Sequence, residues 1–501
     1  MKIRSLLSLA LVSAATLSQA QFWHFSNAFV PTGASGNGGV MVGYTSGGYF
    51  YWTAPNGATV IGGDSSSNTG WPSISRDGLK IAGSYTGNSY PYSSIGRYDR
   101  STSSWTWLGN LGFYSTGTNS AASAWGISGD GNTVVGQAYY NTTGTTGTRV
   151  NSVTATTSGV TNLHPTTSAN GRISASNFDG TVVGGYSTTT AAGALWVNGV
   201  EQTITGLYNG NNVNFAPVTA ISADGRFVAG GGVSAHGFLP YIYDRTLNTV
   251  TTIPSLWANE RSVLTGISDD GQTAVGRFLV FGGNPYVQGH GFIWRSGIGT
   301  MLLNDVVDAA GIDRAGLALN NPFGISGDGL TIVGVATGVS ATEAFMVRLG
   351  GGDVSGTVTL GEYDGVIDNE TVEVQVFDAT DTLVQSFPNV DLGPNGEYTF
   401  KSTMVGTYRI AVKGRTWLRS NQTGINITSA GVTGLNFSLT NGDVDGDNEV
   451  GIGDYAILSA AYNSLPGDGN WSVNADLDGD GEVAIGDYAI LSSHYGSVGD
   501  N

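Results

Sequence analysis

Short apolar runs alternate with glycine-centred turns through the first 350 residues. The fullest form reads Gly-Ile-Ser-x-Asp-Gly-x-Thr-Val-Val-Gly, and related segments recur seven times. They are GASGNGGVMVG from Gly33, SISRDGLKIAG from Ser73, GISGDGNTVVG from Gly126, ASNFDGTVVGG around Asp179, AISADGRFVAG from Ala220, GISDDGQTAVG from Gly266 and GISGDGLTIVG from Gly324. An Asp-Gly or Asn-Gly pair between two apolar runs predicts a β-hairpin with a type I′ turn, because both central residues then take φ > 0.

The repeat length predicts the architecture. The turn glycines are Gly38, Gly78, Gly131, Gly180, Gly225, Gly271 and Gly329, at intervals of 40, 53, 49, 45, 46 and 58 residues. A unit of roughly 45 residues with four strands is typical of a propeller blade, whereas a β-helix rung is about half as long. We therefore expect a β-propeller of seven blades over residues 21–350, with Met301 to Leu319 as a short helical insertion.

Aromatic strand-like runs lie between the turns. They are Tyr49–Trp52, Ala194–Trp196, Tyr241–Tyr243 and Gly291–Trp294. Together with the Ser-x-Asp-Gly turn, these runs resemble the bacterial extracellular HAF-repeat family, over roughly residues 30 to 350. That resemblance implies secretion or surface display and a propeller-like fold, and it implies no known reaction.

Residues 351–440 show a different sequence pattern, without the glycine-turn repeat. Alternating apolar and polar positions in 354–360, 372–377, 397–400 and 407–412, with a turn at Pro394-Asn395-Gly396, predict short strands. This segment looks like a small β-sandwich that serves as a structural spacer. The predicted fold class is thus mainly β: a propeller, a small β-sandwich and a small α-helical module at residues 441–498.

The last module contains two acidic loops of identical spacing. They read DVDGDNEVGIGD from Asp443 and DLDGDGEVAIGD from Asp476, and together hold ten of the 38 acidic residues. Calcium takes six to eight oxygen ligands, from carboxylates at loop positions 1, 3, 5 and 12 and a backbone carbonyl at position 7. The predicted ligands of two calcium ions are Asp443, Asp445, Asp447, Glu449 and Asp454 in the first loop, and Asp476, Asp478, Asp480, Glu482 and Asp487 in the second, with both glutamates acting through their carbonyls.

The same eight residues, IGDYAILS, begin with the last three positions of each loop and continue beyond it, at an offset of 33. The spacing predicts two short helices whose apolar stripes, Tyr455, Leu458 and Tyr462 in the first and Tyr488, Leu491 and Tyr495 in the second, pack against each other. The duplicated loop-helix unit resembles a type I dockerin, in which position 12 is Asp. The resemblance implies calcium binding and attachment to a cohesin.

The residues at loop positions 10 and 11 leave the binding partner of this module undetermined. Cellulosomal dockerins typically carry polar pairs at loop positions 10 and 11 for cohesin contact, whereas this chain has Ile452-Gly453 and Ile485-Gly486. The partner is therefore a cohesin-like protein, another cell-surface protein or the neighbouring β-sandwich. We also expect the module to fold only with calcium, because ten acidic residues repel one another in a small domain.

Composition excludes several classes of protein. The formal net charge of -18 leaves no basic surface for nucleic acid. The absence of cysteine excludes a disulfide framework. Lys2 and Arg4, an apolar stretch and Ser18-Gln19-Ala20 predict a signal peptide over residues 1–20, and no later segment predicts a membrane span. The mature chain should be secreted, extracellular or at the cell surface.

No catalytic motif stands out. The five histidines lack zinc-site spacing, and no G-x-S-x-G motif occurs. A glycoside hydrolase needs a pair of carboxylates, and the candidates here are Asp99, Asp244, Glu260 and Asp305. Ordinary surface acids are the simpler interpretation of these residues. Two hypotheses follow: a non-catalytic modular protein whose propeller binds a ligand such as a glycan, and a carbohydrate-active enzyme or accessory protein in polysaccharide breakdown.

Overall fold

A computed structural model describes most of residues 21–501. The described residues are 21–25, 28–54, 56–64, 70–86, 92–112, 121–141, 148–164, 170–187, 192–208, 211–214, 217–231, 240–254, 256, 260–280, 289–338, 342–378, 381–402, 406–427 and 431–501. The predicted signal peptide, residues 1–20, lies outside them.

Seven four-stranded antiparallel sheets occupy the described part of residues 21–349. Strand β1 (Gln21–Phe25) precedes them. The first sheet is β2 (Val30–Ala34), β3 (Met41–Thr45), β4 (Gly48–Thr53) and β5 (Gly57–Gly62); the second is β6 (Ser73–Ile74), β7 (Lys80–Tyr85), β8 (Ser94–Asp99) and β9 (Ser104–Gly109); the third is β10 (Ala122–Ile127), β11 (Val134–Asn141), β12 (Thr148–Thr156) and β13 (Gly159–Asn162). The fourth is β14 (Gly171–Ser176), β15 (Val182–Ser187), β16 (Ala192–Val197) and β17 (Val200–Thr203), and a separate hairpin follows, β18 (Thr205–Tyr208) and β19 (Asn211–Asn214).

The remaining sheets complete the series. The fifth is β20 (Val218–Ile221), β21 (Phe227–Gly230), β22 (Tyr241–Asp244) and β23 (Thr249–Thr252); the sixth is β24 (Glu260–Ile267), β25 (Thr273–Val280), β26 (His290–Arg295) and β27 (Gly299–Leu302). Helix α1 (Leu303–Ala309) lies within the predicted helical insertion and precedes the last sheet, β28 (Ala318–Ile325), β29 (Thr331–Thr337) and β30 (Thr342–Arg348).

The sheets form a closed, propeller-like ring. The first strands of consecutive sheets pack against one another, and β2 packs against β28, so the first and last sheets are neighbours. Strand β1 supplies the outer strand of the last sheet and pairs antiparallel with β30, from Gln21 opposite Arg348 to Phe25 opposite Ala344. Residues 21–25 therefore complete the four-stranded sheet that lies next to the first sheet of the ring.

The Ser-x-Asp-Gly motif forms a local hydrogen-bonded turn. In the second copy, Gly78 N–H donates to the Ser75 carbonyl (3.0 Å) and Leu79 N–H donates to Asp77 Oδ1 (2.9 Å). Ser75 Oγ donates to Asp77 Oδ1 (2.5 Å) and accepts from Lys80 N–H (2.9 Å). The motif therefore uses each side chain to hold its own turn.

The predicted type I′ geometry is wrong. The turn glycines have φ between 68° and 79°, but the preceding Asp or Asn residues are not among the residues with positive φ. Only the glycine, the fourth residue of each turn, has a left-handed backbone conformation. The two central residues keep negative φ, because the serine and aspartate side chains stabilise that form of the turn. The sequence prediction considered the Asp-Gly pair alone and missed the role of the serine.

The same turns connect neighbouring sheets. Gly36 N–H donates to the Arg76 carbonyl (2.9 Å), and Arg76 N–H donates to Gly129 (2.8 Å). At the closing point, Asp328 N–H donates to the Gly36 carbonyl (2.8 Å). Residue x of the motif, which is Gly36 in the first copy and Arg76 in the second, thus forms backbone hydrogen bonds that join one sheet to the next.

Residues 352–439 form two packed sheets. One contains β31 (Gly352–Leu360), β34 (Glu397–Ser402) and β37 (Phe437–Leu439), and the other contains β32 (Thr371–Phe377), β33 (Leu383–Asp391), β35 (Gly406–Gly414) and β36 (Ser420–Ile427), with a 3-10 turn at Ile367–Asn369. Their inward-facing residues, including Val374, Ile410 and Trp417, form one buried core. This arrangement confirms the predicted β-sandwich.

The C-terminal module contains helices α2 (Ile452–Ala461) and α3 (Ile485–His494). Its core is built from both loop-helix units, with Val450 and Leu458 from the first and Val483 and Leu491 from the second. Leu418, which follows the last residues of β35, also belongs to this core. The module therefore shares its core with the segment that leads out of the sandwich.

Candidate calcium centre

The first loop is shaped by Asp454, the third residue of helix α2. Its Oδ2 accepts from the backbone N–H of Gly451 (2.6 Å), which precedes the helix. Its Oδ1 accepts from the N–H groups of Val444 (2.6 Å) and Asp445 (3.0 Å) at the start of the loop. One carboxylate therefore caps the helix and joins the two ends of the loop.

Three carboxylates converge in this loop. Asp443, Asp445 and Asp447 each place one oxygen within 4.8 Å of the others. Asp445 Oδ1 accepts from Asp447 N–H (3.2 Å), and Asp447 Oδ1 accepts from Glu449 N–H (2.9 Å), so the loop folds inward around its own acids. These residues occupy loop positions 1, 3 and 5, where calcium loops carry their first ligands.

The second loop has the same construction. Asp476, Asp478 and Asp487 converge within 4.8 Å. Asp487 Oδ1 accepts from Leu477 N–H (2.5 Å), and its Oδ2 accepts from Ala484 N–H (2.7 Å). The two converging sets differ in membership, because the first contains position 5 and the second contains position 12.

Position 6 explains the sharp bend of both loops. Gly481 has φ of 89° and donates its N–H to Asp476 Oδ2 (3.2 Å). Asn448 occupies the same position in the first loop with φ of 72° and donates its N–H to Asp443 Oδ2 (3.1 Å). Glycine tolerates this left-handed conformation best and asparagine next best, so both loops can bend toward their first ligand.

The predicted ligand residues are thus only partly brought together. Asp454 and Asp480 are outside the two converging sets, although each follows the spacing of its counterpart in the other loop. The side chains of Glu449 and Glu482 are also outside them, as expected for residues predicted to act through their carbonyls. The complete ligand list remains a prediction from the loop spacing.

The electrostatics of the loops fit a hard cation. Burial raises the pKa of Asp445, Asp476 and Asp478, and neighbouring carboxylates raise it further. Asp443 is fully buried, and its Oδ1 has no hydrogen-bond partner among the described residues. A site made only of oxygen donors with a buried, unsatisfied carboxylate oxygen suits calcium rather than zinc.

Lys413 is a neighbour of the first loop that sequence reasoning missed. Its ammonium group, on strand β35, donates to Asp443 Oδ2 and to the Trp417 carbonyl (3.2 Å). The Lys413 side chain is largely buried, at 14% exposure. A lysine of the sandwich therefore forms an ion pair with a predicted calcium ligand of the first loop. Among the ion pairs of the described residues, none joins a cation to the corresponding aspartates of the second loop.

The sandwich also holds the module on the side of the second loop. Asp364 N–H donates to the Asp478 carbonyl (2.8 Å), and Asn441 Nδ2 donates to the Leu477 carbonyl (2.8 Å). Arg415 pairs with Glu370 (3.0 Å) and donates to the Val473 carbonyl (2.5 Å). The module is thus docked onto the neighbouring sandwich, which was one of the alternatives that the sequence left open.

The end of the chain adds a second set of contacts. Asp500 N–H donates to the Arg419 carbonyl (2.8 Å), and Asn421 N–H donates to Asp500 Oδ2 (2.8 Å). Glu449 forms an isolated antiparallel bridge with Val498. These contacts bring the last residues back to the first loop and to the sandwich.

The predicted tyrosine stripes are partly wrong. Leu458 and Leu491 are buried, but Tyr455, Tyr462 and Tyr495 are 46%, 46% and 56% exposed. Tyr455 and Tyr462 instead make edge-to-face contacts with Tyr488, with ring centroids 5.5 and 5.3 Å apart. The core is filled by apolar residues of both loops and by the helix residues Leu458 and Leu491, so the tyrosines pack at its margin.

The candidate carboxylates of the propeller have local roles. Asp99 pairs with Lys80, and Asp244 pairs with Arg226 (2.7 Å). The Lys80 and Ser101 hydrogen bonds lower the pKa of Asp99 to about 2. Asp305 lies in the first turn of α1, and the side chain of Glu260 lies outside the described residues. Asp99 and Asp244 are therefore ion-pair partners within their own sheets.

Comparison with known proteins identifies the module. Residues 441–494 match the dockerin type I domain family. No curated protein is similar in sequence to the chain. Among the described residues, no helix has the length and apolar character needed to cross a membrane.

Solved structures align with separate parts of the chain. A type II cohesin-X-dockerin complex from Acetivibrio cellulolyticus aligns with 29% of this chain and 96% of its own, at 21% identity and a TM-score of 0.24. An oligogalacturonate lyase from Vibrio parahaemolyticus aligns with 66% of this chain and 97% of its own, at 12% identity and a TM-score of 0.42. The β-propeller domain of the Trilobed protease from Pyrococcus furiosus aligns with 65% and 95%, at 11% identity and a TM-score of 0.38. Its own strands and sheet contacts make the chain mainly β with a propeller-like fold, and its residues 441–494 match the dockerin type I domain family.

Proposed function

We propose that this chain is a non-catalytic extracellular protein that attaches to a cohesin-like partner through its calcium-loaded dockerin domain and presents its propeller as a ligand-binding domain. The observation that carries this proposal is the convergence of three carboxylates in each loop, at the positions where calcium loops carry ligands. Each loop would hold one ion, giving two ions in all. Calcium would neutralise the mutually repelling acids and fix the loop ends against the helices.

The exposed face of the dockerin domain supports a protein partner. Ile452 and Ile485 occupy loop position 10 in the two units and are 72% and 74% exposed. They lie within the two loops, and the hydrogen bonds that Asp364, Asn441 and Arg415 make with the module involve neither of them. Two equivalent exposed isoleucines suit an apolar partner surface, in place of the polar contacts typical of cellulosomal dockerins.

The remaining assignments belong to the same proposal. We interpret the seven four-stranded sheets as seven blades of HAF-type repeats within residues 21–350, followed by the spacer at 351–440 and the dockerin module at 441–498. The N-terminal residues 1–20 would direct export and be removed. The loop spacing supplies the remaining ligands, Asp454 and Glu449 in the first loop and Asp480 and Glu482 in the second.

Binding to a panel of cohesin modules, measured by calorimetry with the full chain, tests this function. We expect binding with calcium and none with excess chelator. The double variant Ile452→Ser/Ile485→Ser should lose at least about tenfold in affinity, since burying each isoleucine contributes on the order of 1.5–3 kcal/mol. Leu465→Ser is the matched control, because Leu465 is 53% exposed but lies outside both loops. Calcium-independent binding, or equal losses in both variants, would contradict the proposal.

A further inference from the structure

A cavity of about 540 Å³ lies at the centre of the ring of sheets. The first strand of each of the seven four-stranded sheets contributes to its lining, namely β2, β6, β10, β14, β20, β24 and β28, and Arg277 of β25 adds to it. Small-molecule sites typically measure about 300–1,000 Å³. The cavity is therefore large enough for a ligand of two or three sugar rings.

Aromatic rings form one part of the wall. Trp71 and Trp125 are stacked with ring centroids 6.2 Å apart, and Phe323 meets Trp71 edge to face at 5.5 Å. Trp71 is 39% exposed, although it lies in the lining of a cavity. A partly exposed indole face at such a position can stack on a flat apolar ring face.

Arginines give this cavity a positive charge in an otherwise acidic protein. Arg76, Arg172 and Arg277 line it, and no Asp or Glu is among its described lining residues. The charge of Arg76 is balanced by Asp269 just outside the lining, at 2.5 Å. The whole chain has a formal net charge of -18, so this local sign is the reverse of the overall charge.

Arg172 is the arginine best placed to take an anion. Its guanidinium lies 3.8 Å from the centre of the Trp125 ring, and its Nε is buried without a hydrogen-bond partner among the described residues. Burial lowers the pKa of Arg172, which shows that its charge is partly desolvated. A desolvated guanidinium held flat by an aromatic ring is suited to a two-pronged hydrogen bond with a carboxylate.

The threonine hydroxyl groups of the lining are already used between sheets. Thr32 Oγ1 donates to the Pro72 carbonyl (2.6 Å), and Thr219 Oγ1 donates to the Leu264 carbonyl (2.7 Å). Thr265 makes the equivalent bond in the next sheet (2.9 Å). A ligand would therefore meet arginine donors rather than threonine donors, and the positive charge of those arginines favours an anion.

We propose that the central cavity binds an acidic oligosaccharide, with Arg172 pairing to a uronate carboxylate and Trp71 stacking on the sugar ring. The Arg172 guanidinium can pair with one carboxylate of a uronate through two parallel hydrogen bonds. This inference rests on the proposed ligand-binding role of the propeller and names the chemical class of its ligand.

Titration of the full chain with uronate trisaccharides, based on glucuronate and on galacturonate, tests the inference by calorimetry and tryptophan fluorescence. Their carboxyl-reduced neutral counterparts and benzoate serve as comparison ligands. We expect at least one uronate trisaccharide to bind at least about tenfold more tightly than its neutral counterpart, because a hydrogen bond to a charged group is stronger than one between neutral groups. Arg172→Gln should remove that difference.

Arg100→Gln is the matched control. Arg100 also lies over an aromatic ring, 4.4 Å from the centre of Tyr51, but it is not among the described lining residues of the cavity. This variant should bind the uronate as the unchanged protein does. Trp71→Ala should weaken both the acidic and the neutral sugar.

The outcomes separate this inference from the proposed function. Three results would overturn the acidic-sugar assignment: equal binding of acidic and neutral sugars, tighter binding of benzoate, or no effect of Arg172→Gln. Each of them would still leave the propeller as a ligand-binding domain. Absence of binding by all the ligands would overturn the assignment as well. Retained calcium-dependent cohesin binding would then leave the attachment role of the dockerin domain standing.

Discussion

Replacing Lys413 by methionine should strengthen calcium binding at the first loop. The Lys413 ammonium group contacts Asp443 Oδ2, so it competes with a calcium ion for the same carboxylate. Calcium–oxygen bonds measure about 2.3–2.6 Å, so an ion on that carboxylate would lie on the order of 5 Å from the ammonium nitrogen. Methionine keeps the apolar stem of lysine and removes only the charge.

The magnitude follows from the charges. A doubly charged ion and an ammonium group about 5 Å apart repel by about 1.5 kcal/mol even at the dielectric constant of water, and by more in a partly buried site. The variant should therefore bind calcium at this loop at least about tenfold more tightly. Without calcium it should be less stable than the unchanged protein, because the buried Asp443 carboxylate loses its cation.

Calcium titration by calorimetry, together with unfolding by urea with saturating calcium and with chelator, measures both effects. The calcium-dependent gain in the free energy of unfolding should be larger in Lys413→Met than in the unchanged protein. Lys401→Met is the control, because Lys401 pairs with Asp353 (3.3 Å) in an exposed position of the same sandwich. An equal or smaller gain in Lys413→Met would refute the reasoning, and Lys413→Gln provides an independent second test.

Three further predictions concern the metal, a turn and an ion pair. Chelation should reduce the helical circular dichroism of the full chain and leave its β signal, because α2 and α3 depend on neutralised loops; an unchanged spectrum would contradict the coupling. Gly271→Ala should destabilise the propeller by more than Gly299→Ala in urea unfolding: both glycines have positive φ, but an added Cβ would lie 2.1 Å from the Phe227 ring only at Gly271. Equal losses would show that φ alone sets the cost. Because the pKa of Asp99 is lowered to about 2 in the folded chain, its contribution to stability should be present above about pH 4 and decline as the pH falls toward 2. Asp99→Asn should flatten that part of the stability curve, and an unchanged slope would contradict this assignment.

The fold was predictable where the sequence pattern is local. Repeated apolar runs and turn glycines such as Gly78 and Gly329 report strands and their connections directly, so a mainly β, propeller-like fold followed from them. The turn type did not follow, because it depends on a serine such as Ser75 bonding two residues ahead and accepting from five residues ahead. The pair Asp-Gly alone does not contain that information.

The candidate site divides in the same way. The acids of both loops were recognisable from spacing, since calcium loops place ligands at fixed positions of one short segment. Lys413 was not recognisable, because it comes from a sandwich strand 30 residues before Asp443. The exposure of Tyr455 and Tyr462 also depends on tertiary packing, since the residues that displace them from the core lie in the loops.

The cavity of the propeller could not be predicted from the sequence, because its lining residues come together only in the folded ring. Trp71, Trp125 and Arg172 lie in three different repeats, and each sits near a strand end that looks ordinary by itself. They meet because the ring brings the first strand of every sheet to one axis. A repeat pattern reports the unit, but not which variable positions of different units face each other.

The pairing of β1 with β30 also determines when the propeller can finish folding. Residues 21–25 have no strand partner until residues 344–348 are synthesised, so more than three hundred residues must leave the ribosome before the last sheet is complete. Such a long-range junction makes the last step slow, because the loop that it closes contains nearly the whole domain. A nascent or truncated chain would hold six complete sheets and an open seam, which gives protein quality control a distinct substrate.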